Sequence, residues 1–353
     1  MGRVVYSMAG EGRGHATRVR AVVDAMRDEH EIILLAPGDA HELLAAAYAG
    51  TEVRVFDLPA LRFGYGKGAS IHPLRTAAGA GRYLARLPRL VDAVANLLER
   101  TQPDLAITDF EPSLPRAAVR VGVPLVSLDH QHVLIVSDLS GLPSPLRQTA
   151  RIGSLPVNLW CHGQAATIVS SFYSPRLRRG HRDVQLVGVL LRPEIARMRG
   201  EVGSHLAAYF RRTVDPHVVE ALHGIGVRVR IYGLGDLPDR GNLEFKTVSE
   251  RGFIEDLASA RALVTSAGNQ VVGEALHLGK PVLGIPEPMN FEQHVNAHYI
   301  REGGAGAAVA QRQVTPAVIR DFLEHVDEFR ARIAPDGHDG TAPTVATLTR
   351  LMA

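Results

Sequence analysis

The chain has 353 residues, more than one ordinary domain uses and enough for two, each with its own core. Apolar residues make up 46% and charged residues 22%, which excludes a disordered or fibrous chain. The formal charge is only +2, so no general nucleic-acid-binding surface is expected, and the single cysteine, Cys161, excludes an internal disulfide and a cysteine-rich zinc site.

In chain order, Arg3 to Met8 is a short valine-rich run suited to a buried parallel strand. A glycine-rich loop, Ala9 to Gly14, leads into a helix from about His15 to Arg27 that buries Val19, Val22, Val23 and Met26. Glu31 to Ala36 is the second strand, stopped by Pro37 and Gly38. Strands follow at Val53–Leu58, Leu105–Thr108, Pro124–Leu128, Ala166–Ser170 and Val184–Val187, with a helix at Ser113–Val121 closed by Gly122. The alternation then restarts. Strands are expected at Leu206–Phe210, Val227–Tyr232, Ala262–Thr265 and Pro281–Ile285. Helices are expected at Pro216–His223, Ile254–Ala260 and Asn269–Leu278, then roughly Gln293–Arg301 and Pro316–Ile333. This is an α/β pattern of two Rossmann-like, doubly wound domains. The expected division is residues 1–188, then 189–340, with 341–353 packing back on the first domain through Val345, Leu348, Leu351 and Met352. The first residues lack the apolar core of a secretory signal, and no run of roughly 18 apolar residues occurs. A cytoplasmic protein is expected, with room for peripheral contact at the inner face of a membrane.

Ligands of open α/β sheets bind beyond the carboxyl ends of the strands. The loop Gly10-Glu11-Gly12-Arg13-Gly14-His15 lies there. Its spacing is G-x-G-x-G rather than the dinucleotide fingerprint, and the second strand ends in Ala36-Pro37 with no acidic residue for a ribose. Gly12 and Gly14 would let backbone approach a ligand. His15 opens a helix, where the dipole disfavours imidazolium and suits a neutral base, or it simply caps that helix. Asp109 ends the fourth strand, where it could orient His15 or cap the next helix. Asp109-Phe110-Glu111 also spells a pair of carboxylates that could hold a hard metal. Asp129-His130-Gln131-His132 follows the fifth strand and offers polar groups to an acceptor. In the second half, Ser266 to Asn269 is a small-residue turn before a helix, able to bind a diphosphate through backbone N–H groups. Glu274 lies in that helix and could accept ribose hydroxyls; Phe253 and Ile254 could cover a base; Gln293 and Asn296 share a helical face.

These segments together resemble a family. Gly252-Phe253-Ile254, Thr265-Ser266-Ala267-Gly268-Asn269, Gly273-Glu274-Ala275, Gly279-Lys280-Pro281 and Gln293-x-x-Asn296 are similar to the donor domain of GT-B glycosyltransferases, nearest the MurG-like group of lipid-linked N-acetylglucosaminyltransferases. Gly-Glu-Gly-Arg-Gly-His-Ala-Thr-Arg resembles the loop that opens that group, and the 109–112 and 127–132 stretches resemble an uncharacterised bacterial and archaeal branch. The resemblance implies two domains across a cleft, with acceptor on the first and nucleotide-sugar, usually UDP-linked, on the second. It implies that Phe253 and Ile254 contact the base, that Ser266, Gly268 and Asn269 hold the diphosphate, and that Glu274 binds the ribose. Gln293 and Asn296 would contact the sugar, and His15 backed by Asp109 would be the base of an inverting transfer. No metal and no cofactor beyond the nucleotide-sugar is expected. Thr265-Ser266-Ala267-Gly268-Asn269 departs from the more usual Ser-Arg-Ala-Gly-Ala, and Arg211-Arg212-Thr213 could supply the missing cation. A non-hydrolysing epimerase, or a non-catalytic nucleotide-sugar-binding partner of a membrane enzyme, would share much of this pattern.

Lysine occurs only at Lys67, Lys246 and Lys280, leaving 36 of the 39 basic side chains as arginine. Between Thr76 and Leu98, apolar residues recur at Ala80, Leu84, Leu87, Val91, Val94 and Leu98, beside Arg82, Arg86 and Arg89. Two readings fit: a core-facing helix with a solvated arginine face, or a basic, partly apolar surface that meets anionic lipid or an acidic acceptor. Gly64, Gly66, Lys67 and Gly68 form the loop before it.

Overall fold

Runs such as Val4-Val5-Tyr6 and Ile32-Ile33-Leu34-Leu35 have no polar alternation because helices cover both faces of the sheet they enter. The computed structural model describes residues 1–10, 13–60, 73–160, 163–181, 183–247, 249–334 and 338–353, without the side chains of residues 73, 74 and 77. Gly12 and the 64–68 glycine loop therefore lie outside the described residues.

The first sheet has seven parallel strands: β1 (Arg3–Met8), β2 (Glu31–Pro37), β3 (Arg54–Leu58), β4 (Leu105–Asp109), β5 (Leu125–Asp129), β6 (Ala166–Ser170) and β7 (Val184–Val187). Their order is β3-β2-β1-β4-β5-β6-β7. The second has six: β8 (Leu206–Tyr209), β9 (Val229–Tyr232), β10 (Leu243–Lys246), β11 (Ala262–Thr265), β12 (Val282–Gly284) and β13 (Gly306–Ala308), ordered β10-β9-β8-β11-β12-β13.

The chain divides into two compact units. The first comprises Met1–Gly141, Arg147–Arg192 and Gly340–Ala353; the second comprises Leu142–Leu146 and Pro193–Asp339. The passage from first to second falls after Arg192 rather than at 188, because Val189, Leu190 and Leu191 are still buried, Leu190 within the core of the first unit. In that unit alternate residues of β1 serve opposite faces. Val4, Tyr6 and Met8 pack with Ala16, Val19 and Val22 of helix Arg13–Met26. Val5 joins Val94 and Leu98 of helix Pro73–Thr101 and Leu114 of helix Ser113–Val121. The last helix, Thr341–Met352, puts Leu348 into the first of these clusters. Thr341 accepts a hydrogen bond from the Leu191 N–H at 3.0 Å, and Thr347 donates to Gln185 at 2.8 Å. In the second unit Leu206, Ala208, Ile231 and Val264 pack with Val218, Leu222, Ile319 and Phe322.

Several elements differ from expectation for local reasons. β10 and β13 are short and poor in β-branched residues (Leu-Glu-Phe-Lys and Gly-Ala-Ala), so only pairing defines them. Gly38 stops β2 but also opens a helix, Gly38–Ala47. The helix expected from Ile254 starts four residues earlier, at Glu250, because Ser249 caps the Gly252 N–H. The stretch expected as one helix from Pro316 is two, Pro316–Glu324 and Val326–Arg332, parted at His325.

Candidate active site

β1 and β4 are neighbours whose chains continue in opposite directions, β1 to β2 and β4 to β5. The loops beyond them diverge and leave a crevice at their carboxyl ends. Met8 and Asp109 are paired at that end, so the loop after β1 and the Asp109 side chain share one mouth. His15, in the first turn of helix Arg13–Met26, reaches back to it: its Nδ1 lies 2.9 Å from Asp109 Oδ1. Gly14 is exposed just before it.

Arg18 completes the group. Its Nε donates to Asp109 Oδ2 at 2.8 Å and its Nη2 to Oδ1 at 2.9 Å, with Nη2 also 3.2 Å from His15 Nδ1. Asp109 is fully buried and the Arg18 side chain is 4% exposed, while the His15 side chain is 15% exposed. His15 Nδ1 cannot both donate to the carboxylate and accept from Arg18. Arg18 already commits two N–H groups to Asp109, so the network assigns the Nδ1 proton to the His15–Asp109 bond. Nε2 is then the basic nitrogen. Asp109 holds Arg18 firmly protonated against the effect of its burial.

Glu111, not Asp109, caps the following helix. Its Oε1 accepts from the Ser113 N–H at 2.9 Å and the Tyr83 hydroxyl at 3.2 Å, and its Oε2 accepts from the Leu114 N–H at 3.0 Å. The two carboxylates of the Asp109-Phe110-Glu111 triplet thus serve separate structures. Next along the sheet, Asp129 receives the His132 ring at 2.6 Å, the His132 N–H at 2.8 Å and the Ser127 hydroxyl at 2.9 Å. Burial alone would push the Asp129 carboxyl up; the facing His132 and these hydrogen bonds bring it down to about 2. Burial works against the His132 cation as well, but Asp129 outweighs it and raises its pKa. His130 turns the other way, with its Nδ1 3.0 Å from the Ser170 carbonyl. Tyr6, buried within the field of Asp109, Arg18 and Asp129, has a phenol pushed well above its ordinary range, chiefly by burial.

The second unit repeats the arrangement. β8 lies between β9 and β11, so the loops after β8 and β11 flank its crevice. Ser266 is buried in the loop after β11, Gly268 is the N-cap of helix Asn269–His277, and Asn269, also buried, is that helix's first residue. Asn296, fully buried, donates to the Ala267 carbonyl at 3.0 Å and so braces the turn. Glu274, 2% exposed, accepts from Gln270 at 3.1 Å. Gln293 accepts from the Glu287 N–H at 2.8 Å and donates to its carboxylate at 3.3 Å. Glu287 in turn lies 3.7 Å from Arg211, in the loop after β8. Phe253 and Ile254 are buried in helix Glu250–Ala258; Phe253 packs against Tyr209 and Tyr232, with ring centroids 5.5 and 5.2 Å away.

Backbone strain marks the same places. Phe110, Arg212 and Ala267 hold positive φ of 59°, 64° and 64°. Each follows one of the strands that flank a crevice: β4, β8 and β11. Left-handed backbone without glycine costs of order 1 kcal/mol or more and gathers at functional sites.

The sequence model of glycosyl transferase family 1 matches residues 2–327. The chain belongs to glycosyl transferase family 1. Among curated relatives of this family-1 chain, one from Histophilus somni is 27% identical over 139 residues, covering 36% of this chain and 39% of the relative. It is a UDP-N-acetylglucosamine--N-acetylmuramyl-(pentapeptide) pyrophosphoryl-undecaprenol N-acetylglucosamine transferase. An uncharacterised glycosyltransferase of Methanosarcina acetivorans is 28% identical over 170 residues, covering 45% of this chain and 42% of the relative. The matches span about two fifths of either relative's length. Among solved structures, the calicheamicin glycosyltransferase CalG4 superposes with a TM-score of 0.65 at 18% identity, over 100% of this chain and 98% of that one. Arabidopsis thaliana UGT89C1, complexed with quercetin, gives 0.67 at 14% identity over 100% of both chains. The two parallel sheets with flanking helices are the GT-B fold.

Four residues of the candidate site escape a linear reading in whole or in part. Arg18 sits three positions after His15 on one helical face, a spacing that signals a shared target. Asp129 and His132 are also three apart, and their pairing was visible only as a polar cluster. Glu287, after Ile285-Pro286, carries no pattern; its partners Arg211 and Gln293 are distant in sequence.

Proposed function

We propose that this glycosyltransferase is an inverting, metal-independent enzyme. It moves a sugar from a UDP-sugar, such as UDP-N-acetylglucosamine, to a hydroxyl of a lipid-linked, cell-envelope or secondary-metabolite acceptor. The first unit holds the acceptor and the second the donor. The observation that carries this reading is the His15–Asp109 pair, at 2.9 Å on a partly exposed histidine. His15 Nε2 takes the acceptor's proton as its oxygen attacks the anomeric carbon. The bond from that carbon to the diphosphate oxygen breaks, and UDP leaves with the electron pair. Charge developing on the diphosphate meets the N-terminus of helix Asn269–His277, reached through Ser266 and Gly268, and the Arg211 guanidinium. Glu274 accepts the ribose hydroxyls, and Gln293 and Asn296 lie toward the sugar. The name of the Histophilus somni relative supports UDP-N-acetylglucosamine as the first donor to try.

No helix among the described residues is long and apolar enough to cross a membrane. Peripheral membrane contact is proposed through helix Pro73–Thr101. Leu84 is 46% exposed beside Leu155 and Leu159, and these line an apolar groove of about 250 Å³ with Tyr83 and Trp160. Arg82, Arg86 and Arg89 are exposed along the same helix.

The test is a thermal-shift panel of nucleotides and nucleotide-sugars, since a bound donor raises apparent stability. Stabilisation by UDP and a UDP-sugar is expected. Glu274→Ala should weaken UDP binding by about 2–3 kcal/mol, because charge-assisted hydrogen bonds are lost. Unchanged UDP affinity by calorimetry would remove the ribose role. Sugar isomerisation with donor alone, or donor binding with no UDP release on any acceptor, would overturn the transferase reading.

A further inference from the structure

The connection from Ser170 to Val184 leads from the carboxyl end of β6 to the start of the parallel strand β7. It carries Arg176, Arg178, Arg179 and His181. Exposed arginines on a loose loop would mean only solubility. This loop is not loose. The Asp138 N–H donates to the Arg176 carbonyl at 2.7 Å, and the Arg178 N–H donates to the Val136 carbonyl at 2.8 Å. Between them Ser137 and Leu177 form an antiparallel β-bridge. The Arg178 Nε–H also donates to the Ser137 carbonyl at 2.8 Å, which fixes the plane of that guanidinium.

The same residues line an open pocket of about 690 Å³, with Asp138, Leu177 and Gly180. Its charge is one-sided: three arginines face one carboxylate. That carboxylate, Asp138, accepts from the Ser140 N–H at 3.0 Å, and Ser140 with Arg176 and Arg178 keeps it below the usual range. Among the described residues, Arg176, Arg178 and Arg179 make no side-chain ion pair within 4 Å. Residues 136–138 continue directly from helix Val133–Val136, which starts beside His132 on Asp129. One wall of the pocket thus follows from the carboxyl end of β5, the strand beside that of Asp109, and the other, at His181, leads into the start of β7, where the Val184 N–H donates to the His181 carbonyl at 3.4 Å.

We propose that the Arg176–His181 loop is a phosphoryl-binding site that takes the phosphate or diphosphate end of the acceptor, an assignment of acceptor class that rests on the transferase reading above. Guanidinium groups suit phosphate oxygens through paired, planar N–H donation. A volume of this size admits a diphosphate together with the group next to it. The acceptor is then a phosphorylated alcohol or sugar, held by its charged end while its free hydroxyl reaches His15.

The experiment uses the full chain, wild type, Arg176→Gln/Arg179→Gln and Arg176→Lys/Arg179→Lys. Inorganic pyrophosphate is titrated by calorimetry with UDP present, so that a filled donor site does not contribute. The Gln pair should weaken pyrophosphate at least about tenfold, and the Lys pair should recover most of that loss. Glucose 1-phosphate in solution and phosphatidic acid in phosphatidylcholine vesicles then separate a soluble from a lipid source of the phosphoryl group. Either ligand, bound by wild type and lost in the Gln pair, supports the site and names its source. Failure of wild type to bind any of the three, or equal binding by the Gln pair, overturns it. UDP affinity is measured on each variant and should not change. If UDP fails to bind while pyrophosphate binding is lost in the Gln pair, the transferase reading fails and the phosphoryl site stands.

Discussion

Replacing Arg18 with methionine keeps the aliphatic stem and removes the guanidinium from a buried carboxylate. Arg18 gives Asp109 two charge-assisted hydrogen bonds, at 2.8 and 2.9 Å, and the two side chains are 4% and 0% exposed. Each such bond contributes about 1.5–3 kcal/mol, and losing one partner of a buried ion pair costs about 3–5 kcal/mol. Asp109 would keep His15, so the expected loss lies at the lower end, about 3 kcal/mol. The assay is built into the chain. Its single tryptophan, Trp160, packs on Phe110 with ring centroids 4.8 Å apart, one residue from Asp109. Tryptophan fluorescence in a urea titration therefore follows the first unit alone. Asp109→Asn and the double variant complete a cycle. Because the residues touch, the double variant should be less destabilised than the two single losses summed. A loss below about 1 kcal/mol for Arg18→Met, or single effects that add to within about 0.5 kcal/mol, would refute the shared carboxylate. The histidine orientation inferred from it would fall too.

His15→Ala should lower turnover by about 10²–10⁴-fold and leave UDP affinity by calorimetry nearly intact; near-normal turnover would remove the base assignment. Chelator in the turnover assay should change nothing, and lost activity would return Asp109 and Glu111 to consideration as metal ligands. The Asp129–His132 pair predicts a pH window. Asp129 is held down to about 2, so its contribution is present above the ordinary carboxylate range and fades as pH falls toward that value. His132 is raised above 6.5, so its contribution is full below 6.5 and fades as pH rises through the folded value. The stability difference between wild type and His132→Leu, from urea midpoints, should peak between about pH 4 and 6.5. A difference that grows as pH rises above 6.5, or that stays level as pH falls from about 4 toward 2, would contradict the pairing.

The strands with continuous valine and isoleucine were legible because burial on both faces removes every polar interruption. β10 and β13 were not, since a pairing partner defines them and their own residues do not. In the site, Asp109 was legible as a polar residue closing an apolar strand, but its two readings were not separable. Glu111 settles the question by taking the Ser113 and Leu114 amides, and sequence cannot show which of two nearby carboxylates turns toward a helix end. Arg18 was hidden by its setting. An arginine among buried helix positions reads as an interruption until its carboxylate, 91 residues away, is placed beside it. The packing of Phe253 on Tyr209 and Tyr232 is likewise invisible in a motif, because its partners lie in strands β8 and β9.

The closing helix Thr341–Met352 also constrains how the protein is made. The strands of the first sheet have all been synthesised once Val187 emerges, yet Leu348 belongs to the same cluster as Val19 and Val22 and comes last. At about 5–20 residues per second, the intervening unit delays that helix by roughly 10–30 s. For that interval the nascent first unit carries an uncovered apolar face beside helix Arg13–Met26. Ribosome-bound chains stalled before residue 341 should therefore bind holding chaperones there, and chains released with the last helix should not.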